Sequence, residues 1–267
     1  MMKSIFKSIA AAIGLLALGT LPSQAADPLR VGVSASPYGE ILEFAGKLAA
    51  KEGLGIKVIE FTDWNMPNAA LANGEIDVNN FQHIPYLNNQ IKQRGYDLVP
   101  VAGSIVVPMG IYSSKAKTAA DLKPGSTIAI PNDPTNAARA LFLIEKAGLV
   151  KLRNGSGLDA TVTDIAENAS ENASKIKFIE LDAAQLPRSL DDVDAAVITL
   201  NYAVLAGLDP SKSLVLEDDQ SKWHLVWAAR RDRADDARIK RYIEIYRSPE
   251  VREFVLARFK GTILPTW

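Results

Sequence analysis

The 267-residue sequence contains no cysteine. This excludes disulfides, thiol catalysis and cysteine-ligated metals, and with them a lipid anchor attached through a processed N-terminal cysteine. Histidine is almost as scarce: the two present, His83 and His224, do not stand at metal-ligand spacing. Neither sign of charge dominates, with 30 basic against 31 acidic residues and a formal net charge of −1. No basic face therefore points to nucleic acid. Nucleophile elbows, phosphate-binding glycine loops, zinc-binding helices and dinucleotide fingerprints are all missing. Asp191, Asp192 and Asp194 come nearest to paired carboxylates, in a stretch that reads as a loop entering a strand. The expectation is a binding protein without a cofactor, not an enzyme.

Apolar runs long enough to cross a bilayer are also absent. The run at residues 9–18 is short, follows Lys3 and Lys7, and precedes Ser23-Gln24-Ala25. A basic start, a short apolar stretch and small residues are the marks of a secretory signal. Residues 1–25 are expected to be removed near Ala25, leaving a soluble protein outside the cytoplasm.

What is present is a regular alternation. Apolar stretches at 29–33, 56–61, 77–81 and 98–101 read as strands. Helical spacing separates them, with Gly53, Gly74, Gly95 and Gly148 placed to end helices. A fresh series begins at 127–130, where Asp133 is a good helix cap and Pro134 a good first helical residue. Strands are expected again at 176–181, 194–199 and 225–229, and helices at 237–246 and 249–259 with Ser248 as cap. Residues 151–175, rich in Gly, Asn and Ser, read as surface loop, and the Asn-x-Ser sequons at Asn154, Asn168 and Asn172 read as chance. Alternation without hairpin signals predicts an α/β fold of mainly parallel sheets flanked by helices. The order proline, short helix, aspartate, apolar strand occurs at 67–78 and faintly again at 187–197. Two lobes built alike, with a ligand cleft between them, are expected: 26–108 with 228–267, and 109–227.

Two segments carry the functional signal. Trp64, Phe81, His83 and Tyr86 crowd aromatic rings and polar tips into about 25 residues. Pro67 and Pro85 place Trp64 and Phe81–His83 on loops at strand-to-helix junctions, where open α/β sheets bind ligands. The competing reading makes Phe81 and Tyr86 core residues and His83 a satisfied loop histidine. In the second segment Asn136 and Arg139 share one face at a helix start, which suits a carboxylate. The competing reading pairs Arg139 with a nearby Asp or Glu.

These segments resemble the NlpA lipoprotein family, the methionine-binding components of bacterial ABC importers. The resemblance runs from about Leu29 to Trp267. It rests on Glu60-Phe61-Thr62-Asp63-Trp64, Asn80-Phe81-Gln82-His83 with Pro85-Tyr86-Leu87, Ile130-Pro131-Asn132-Asp133-Pro134-Thr135-Asn136 with Arg139-Ala140, and Gln185-Leu186-Pro187-Arg188-Ser189-Leu190. It implies a type II periplasmic-binding-protein fold that closes on one amino acid. Trp64, Phe81, His83 and Tyr86 would hold the side chain, with Trp64 where a Tyr is usual, and Asn136 and Arg139 the carboxylate. The partners implied are a methionine-like ligand and a membrane ABC permease, with the protein a monomer.

Two departures mark the head-group end. Thr199 stands in Val197-Ile198-Thr199-Leu200-Asn201-Tyr202-Ala203 where the family usually has Asn, and Leu225 stands where a second Asn is usual, after Ser221-Lys222-Trp223-His224. Each lost polar partner costs about 1–3 kcal/mol. The alternative expectation is thus the same fold taking another small carboxylate, a sulfonate or a modified amino acid.

Overall fold

The alternation of apolar strands and amphipathic helices builds two five-stranded sheets. The computed structural model describes residues 27–35, 37–166, 175–218 and 222–267. The expected signal segment, the sequons at Asn168 and Asn172, and Ser221 lie outside the described residues.

The chain opens with β1 (Leu29–Ser34), α1 (Tyr38–Lys51), β2 (Ile56–Phe61) and α2 (Met66–Ala72). It continues through β3 (Val78–His83), α3 (Ile84–Arg94) and β4 (Leu98–Gly103). Short strands β5 (Ile105–Val106) and β6 (Met109–Tyr112) lead into β7 (Thr127–Pro131) and α4 (Pro134–Lys146). Then come β8 (Lys177–Leu181), α5 (Leu186–Ser189), β9 (Ala195–Thr199), α6 (Leu200–Leu205) and β10 (Val215–Leu216). The return is β11 (Leu225–Arg230), followed by α7 (Ala237–Tyr246), α8 (Pro249–Phe259) and β12 (Leu264–Pro265). Capping follows the sequence logic. The Asp133 carboxylate accepts from the Asn136 backbone N–H with Pro134 in the first turn, and Ser248 caps α8 through Val251.

The first sheet has the order β2-β1-β3-β11-β4 and the second β10-β6-β9-β7-β8. Read from the other end, the second sheet repeats the first: β8, β7 and β9 stand where β2, β1 and β3 do. In each sheet those three strands are parallel. The strand beside them runs antiparallel to both its neighbours: β11 in the first sheet and β6 in the second. Most strands in each sheet therefore share one direction, as the alternation predicts, but the sheets are mixed and not uniformly parallel. The reason is connectivity. Each sheet receives one strand from a crossing segment, which arrives head-on to the others.

Apolar side chains fill both faces of both sheets. On the first sheet Trp227 is fully buried, with the rings of Tyr242 and Tyr246 edge-on at 5.7 and 4.9 Å; such pairs contribute about 0.5–1.5 kcal/mol each beyond their burial. Three elements carry no clear sequence signal: α6, β10 and β12. Within the stretch read as surface loop, the described residues 151–166 are less exposed than composition suggests, since Leu152, Ala160 and Ile165 pack into the second sheet's core. Among the described residues no helix is long and apolar enough to cross a membrane.

Candidate functional site

Phe81–His83 finish β3, and His83 is also the residue before α3. The expectation that this triplet lies on a loop is thus corrected. Strand pairing extends to its end because Leu225 of β11 lies opposite His83. Trp64 does sit on the loop after β2. The equivalent junction of the second sheet is Thr199, which ends β9 and precedes α6. Between these junctions lies a cavity of about 370 Å³, counting space open to solvent. Trp64, Phe81, His83, Tyr86, Asn136, Arg139, Thr199, Asn201 and Leu225 all line it. Tyr38, Gln82 and Val107 line it too, and sequence reasoning did not single them out. Tyr38 carried a usable signal, because it is an aromatic residue next to a proline, Pro37, at a strand-to-helix junction.

The aromatic wall is centred on Trp64. Tyr86 stands edge-on to it at 6.3 Å and Tyr202 is tilted against it at 5.1 Å. Tyr86 is the third residue after His83, and Tyr202 the third after Thr199, so the two halves supply equivalent tyrosines. Both hydroxyls donate to the loop that carries Trp64: Tyr86 to the Trp64 carbonyl at 2.9 Å, Tyr202 to the Thr62 carbonyl at 3.3 Å. Burial raises both phenols above their ordinary pKa, so they stay neutral donors. Phe81 completes the wall, 6.0 Å from Tyr86. Behind it Asn68, Asn79 and Gln82 satisfy one another through buried amide hydrogen bonds of 2.7–3.1 Å.

His83 holds the two sheets together. Its Nδ1 accepts from the Tyr86 backbone N–H at 3.1 Å, which leaves Nε2 as the donor to Asn136 Oδ1 at 3.0 Å. Burial, aided by the nearby Arg139 charge, pushes its pKa down to about 3. It is a neutral structural donor at physiological pH. The Asn136 amide in turn donates to both oxygens of Asp133, at 3.1 and 3.0 Å. Burial raises the Asp133 pKa, opposed by these bonds. Asn136 is thus engaged at both ends of its amide.

Arg139 is 3% exposed and already paired. Its Nε and Nη2 grip the two oxygens of Glu217 at 2.9 and 2.5 Å, and Nη2 also donates to the Val107 carbonyl at 2.7 Å. The Met109 backbone N–H holds the same carboxylate at 3.0 Å. Among the described residues, no hydrogen bond uses Arg139 Nη1. The pairing weighed from the sequence is therefore present, but buried and not at the surface. Glu217 was missed because it lies 78 positions along the chain, and no local pattern joins the two. At the same end Thr199 Oγ1 donates to Asn201 Oδ1 at 2.8 Å, and Leu225 is buried against the core of the first sheet.

The lining offers rings, a few donors and one guanidinium. Nothing in it is arranged as a nucleophile and base, and among the described residues no cluster suits a metal ion. The chemistry supported is reversible capture of a small molecule with an apolar part and a polar head.

Comparison with known proteins agrees in extent as well as in kind. The family model described as NlpA lipoprotein matches residues 29–267. The D-methionine-binding lipoprotein MetQ of Yersinia pestis is 42% identical over 271 residues, covering 98% of either chain. That of Escherichia coli K12 is 41% identical, covering 98% of this chain and 97% of its own. A nutrient-binding protein from Burkholderia cenocepacia, solved bound to methionine, superposes with a TM-score of 0.84 at 45% identity, covering 90% of this chain and all of its own. A crystal structure of the methionine-binding protein MetQ gives a TM-score of 0.84 at 41% identity, covering 90% and 98%. With its fold and nearly its whole described length accounted for in this way, the chain belongs to the NlpA lipoprotein family.

Proposed function

We propose that this protein is the substrate-binding component of an ABC importer, capturing methionine or a closely related amino acid. One observation carries the reading. Residues from both sheets converge on a single cavity that is aromatic along one wall and holds a buried arginine at its other end, in a family whose relatives bear methionine-binding names. A thioether suits the rings of Trp64, Phe81 and Tyr86, since sulfur packs favourably at ring edges. Arg139 Nη1 and the Asn201 amide are the donors for the carboxylate. His83 and Asn136 serve by fixing the geometry of the junction, and Thr199 and Leu225 shape the head-group end.

The two sheets are the cores of two lobes that close on the ligand, 26–108 with 228–267 and 109–227 as read from the sequence, with the last boundary drawn back to just before Leu225. The return strand already ladders with the first sheet from Leu225. The partner is a membrane permease, and the protein acts as a monomer. Because the sequence has no cysteine, the lipid attachment for which the family is named has no acceptor here. The mature protein, cut near Ala25, is soluble in the periplasm. Calorimetric titration of refolded, ligand-free residues 26–267 with L- and D-methionine tests the function. One-to-one binding of either is the expected result, and the absence of heat from both overturns it.

A further inference from the structure

Arg139 is the one guanidinium in the cavity lining, yet its charge is not free. Glu217 spans the Nε–Nη2 edge with both oxygens, and the Val107 carbonyl takes a further Nη2 hydrogen. Glu217 is itself fixed by β6: its carboxylate accepts from the Met109 N–H and its own N–H donates to the Met109 carbonyl, each at 3.0 Å. Trp223, 6% exposed, lies over the guanidinium at 5.9 Å and against His83 at 5.0 Å, covering one side of the pair. No other formally charged side chain lines this cavity. His83 is a neutral donor, and Asp133 sits behind Asn136. Lys146 and Lys222 line the neighbouring cavity on the far side of the Arg139–Glu217 pair, which that pair also lines, and Lys146 is engaged there by Asp218 at 2.5 Å.

We infer that Glu217 is a charge-selecting positioning residue: by cancelling Arg139 it makes the head-group end of the cavity net neutral. The cavity then accepts a zwitterion and disfavours an anion of the same shape. This rests on the proposal that the ligand is methionine-like. A zwitterion brings no net charge into a site whose own ion pair is almost wholly buried. An α-hydroxy acid brings one full negative charge to an arginine whose attraction is already spent on Glu217.

The test compares methionine with its hydroxy analogue, in which a hydroxyl replaces the ammonium, by calorimetry on the wild type and on Glu217→Gln. The wild type is expected to favour methionine, and Glu217→Gln to shift the affinity ratio toward the hydroxy acid by roughly tenfold or more. Glu217→Asp keeps the charge and should retain the wild-type ratio at lower overall affinity. A merely structural glutamate would weaken both ligands together and leave the ratio unmoved, which overturns the inference. Should Glu217→Gln fail to fold, the wild type still decides: equal binding of the two ligands overturns charge selection. Failure to bind methionine in any form would instead withdraw the functional reading beneath it.

Discussion

The second sheet repeats the strand order of the first, and the junctions that meet at the cavity differ mainly in what they carry. At the end of β3, His83 accepts from the helix behind it and donates across to Asn136. At the matching end of β9, Thr199 makes no cap of that kind and turns its hydroxyl to Asn201. Three residues on, both halves place a tyrosine against Trp64, which itself comes from the first sheet alone. Shared topology thus supplies equivalent positions, while side chains assign one half to apolar contact and the other to charge. The rings need only shape and a backbone carbonyl for each hydroxyl. The arginine needs a counter-charge brought from far along the chain.

That contrast can be broken most severely at the charged end. Arg139→Leu takes the guanidinium away from the largely buried Glu217 carboxylate, and chemical denaturation should show a loss of about 3–5 kcal/mol. Replacing Glu217 by Gln in the same chain should recover much of it. Trp64→Ala attacks the apolar half instead. Removing a ring that both tyrosines touch should weaken ligand binding by about 2–3 kcal/mol in calorimetry, with a far smaller change in melting temperature, because Trp64 is only half-buried. The His83 contribution is set by pH. Its folded pKa lies near 3 against an ordinary 6.5, so below about pH 6.5 the unfolded chain takes up a proton that the native chain refuses. Stability should fall as pH drops through that window by up to about 1.4 kcal/mol per unit, and His83→Asn should flatten this part of the melting profile. The smallest effect belongs to Tyr202→Phe. Losing the 3.3 Å bond to Thr62 should cost about 0.5–1.5 kcal/mol, read as a few-fold weaker affinity.

How much was legible in the sequence follows the same division. Residues 56–61 and 237–246 read correctly as strand and helix because their apolar spacing is local, and Asp133 and Ser248 announced their helices by type. Trp64, Phe81 and Tyr86 stood out because rings beside prolines are visible in a short window. Strand direction in β6 and β11 was hidden, since it depends on which lobe a crossing segment enters. So was the partnering of Arg139 with Glu217 and of His83 with Asn136, as each joins residues that only the closed fold brings together. Leu152 and Ile165 were hidden by the polar residues around them.

The place of β11 between β3 and β4 also governs when the protein can fold. Until residues 225–230 are made, β4 has no hydrogen-bonded neighbour in its sheet, and the free edge of β3 lies open. Its Arg230 must find Leu98, and its Leu225 must find His83, across the whole of the second sheet's sequence. Pairings so distant in sequence make folding slow. Under the proposed export to the periplasm, that delay gives the chain time to be threaded across a membrane while still extended.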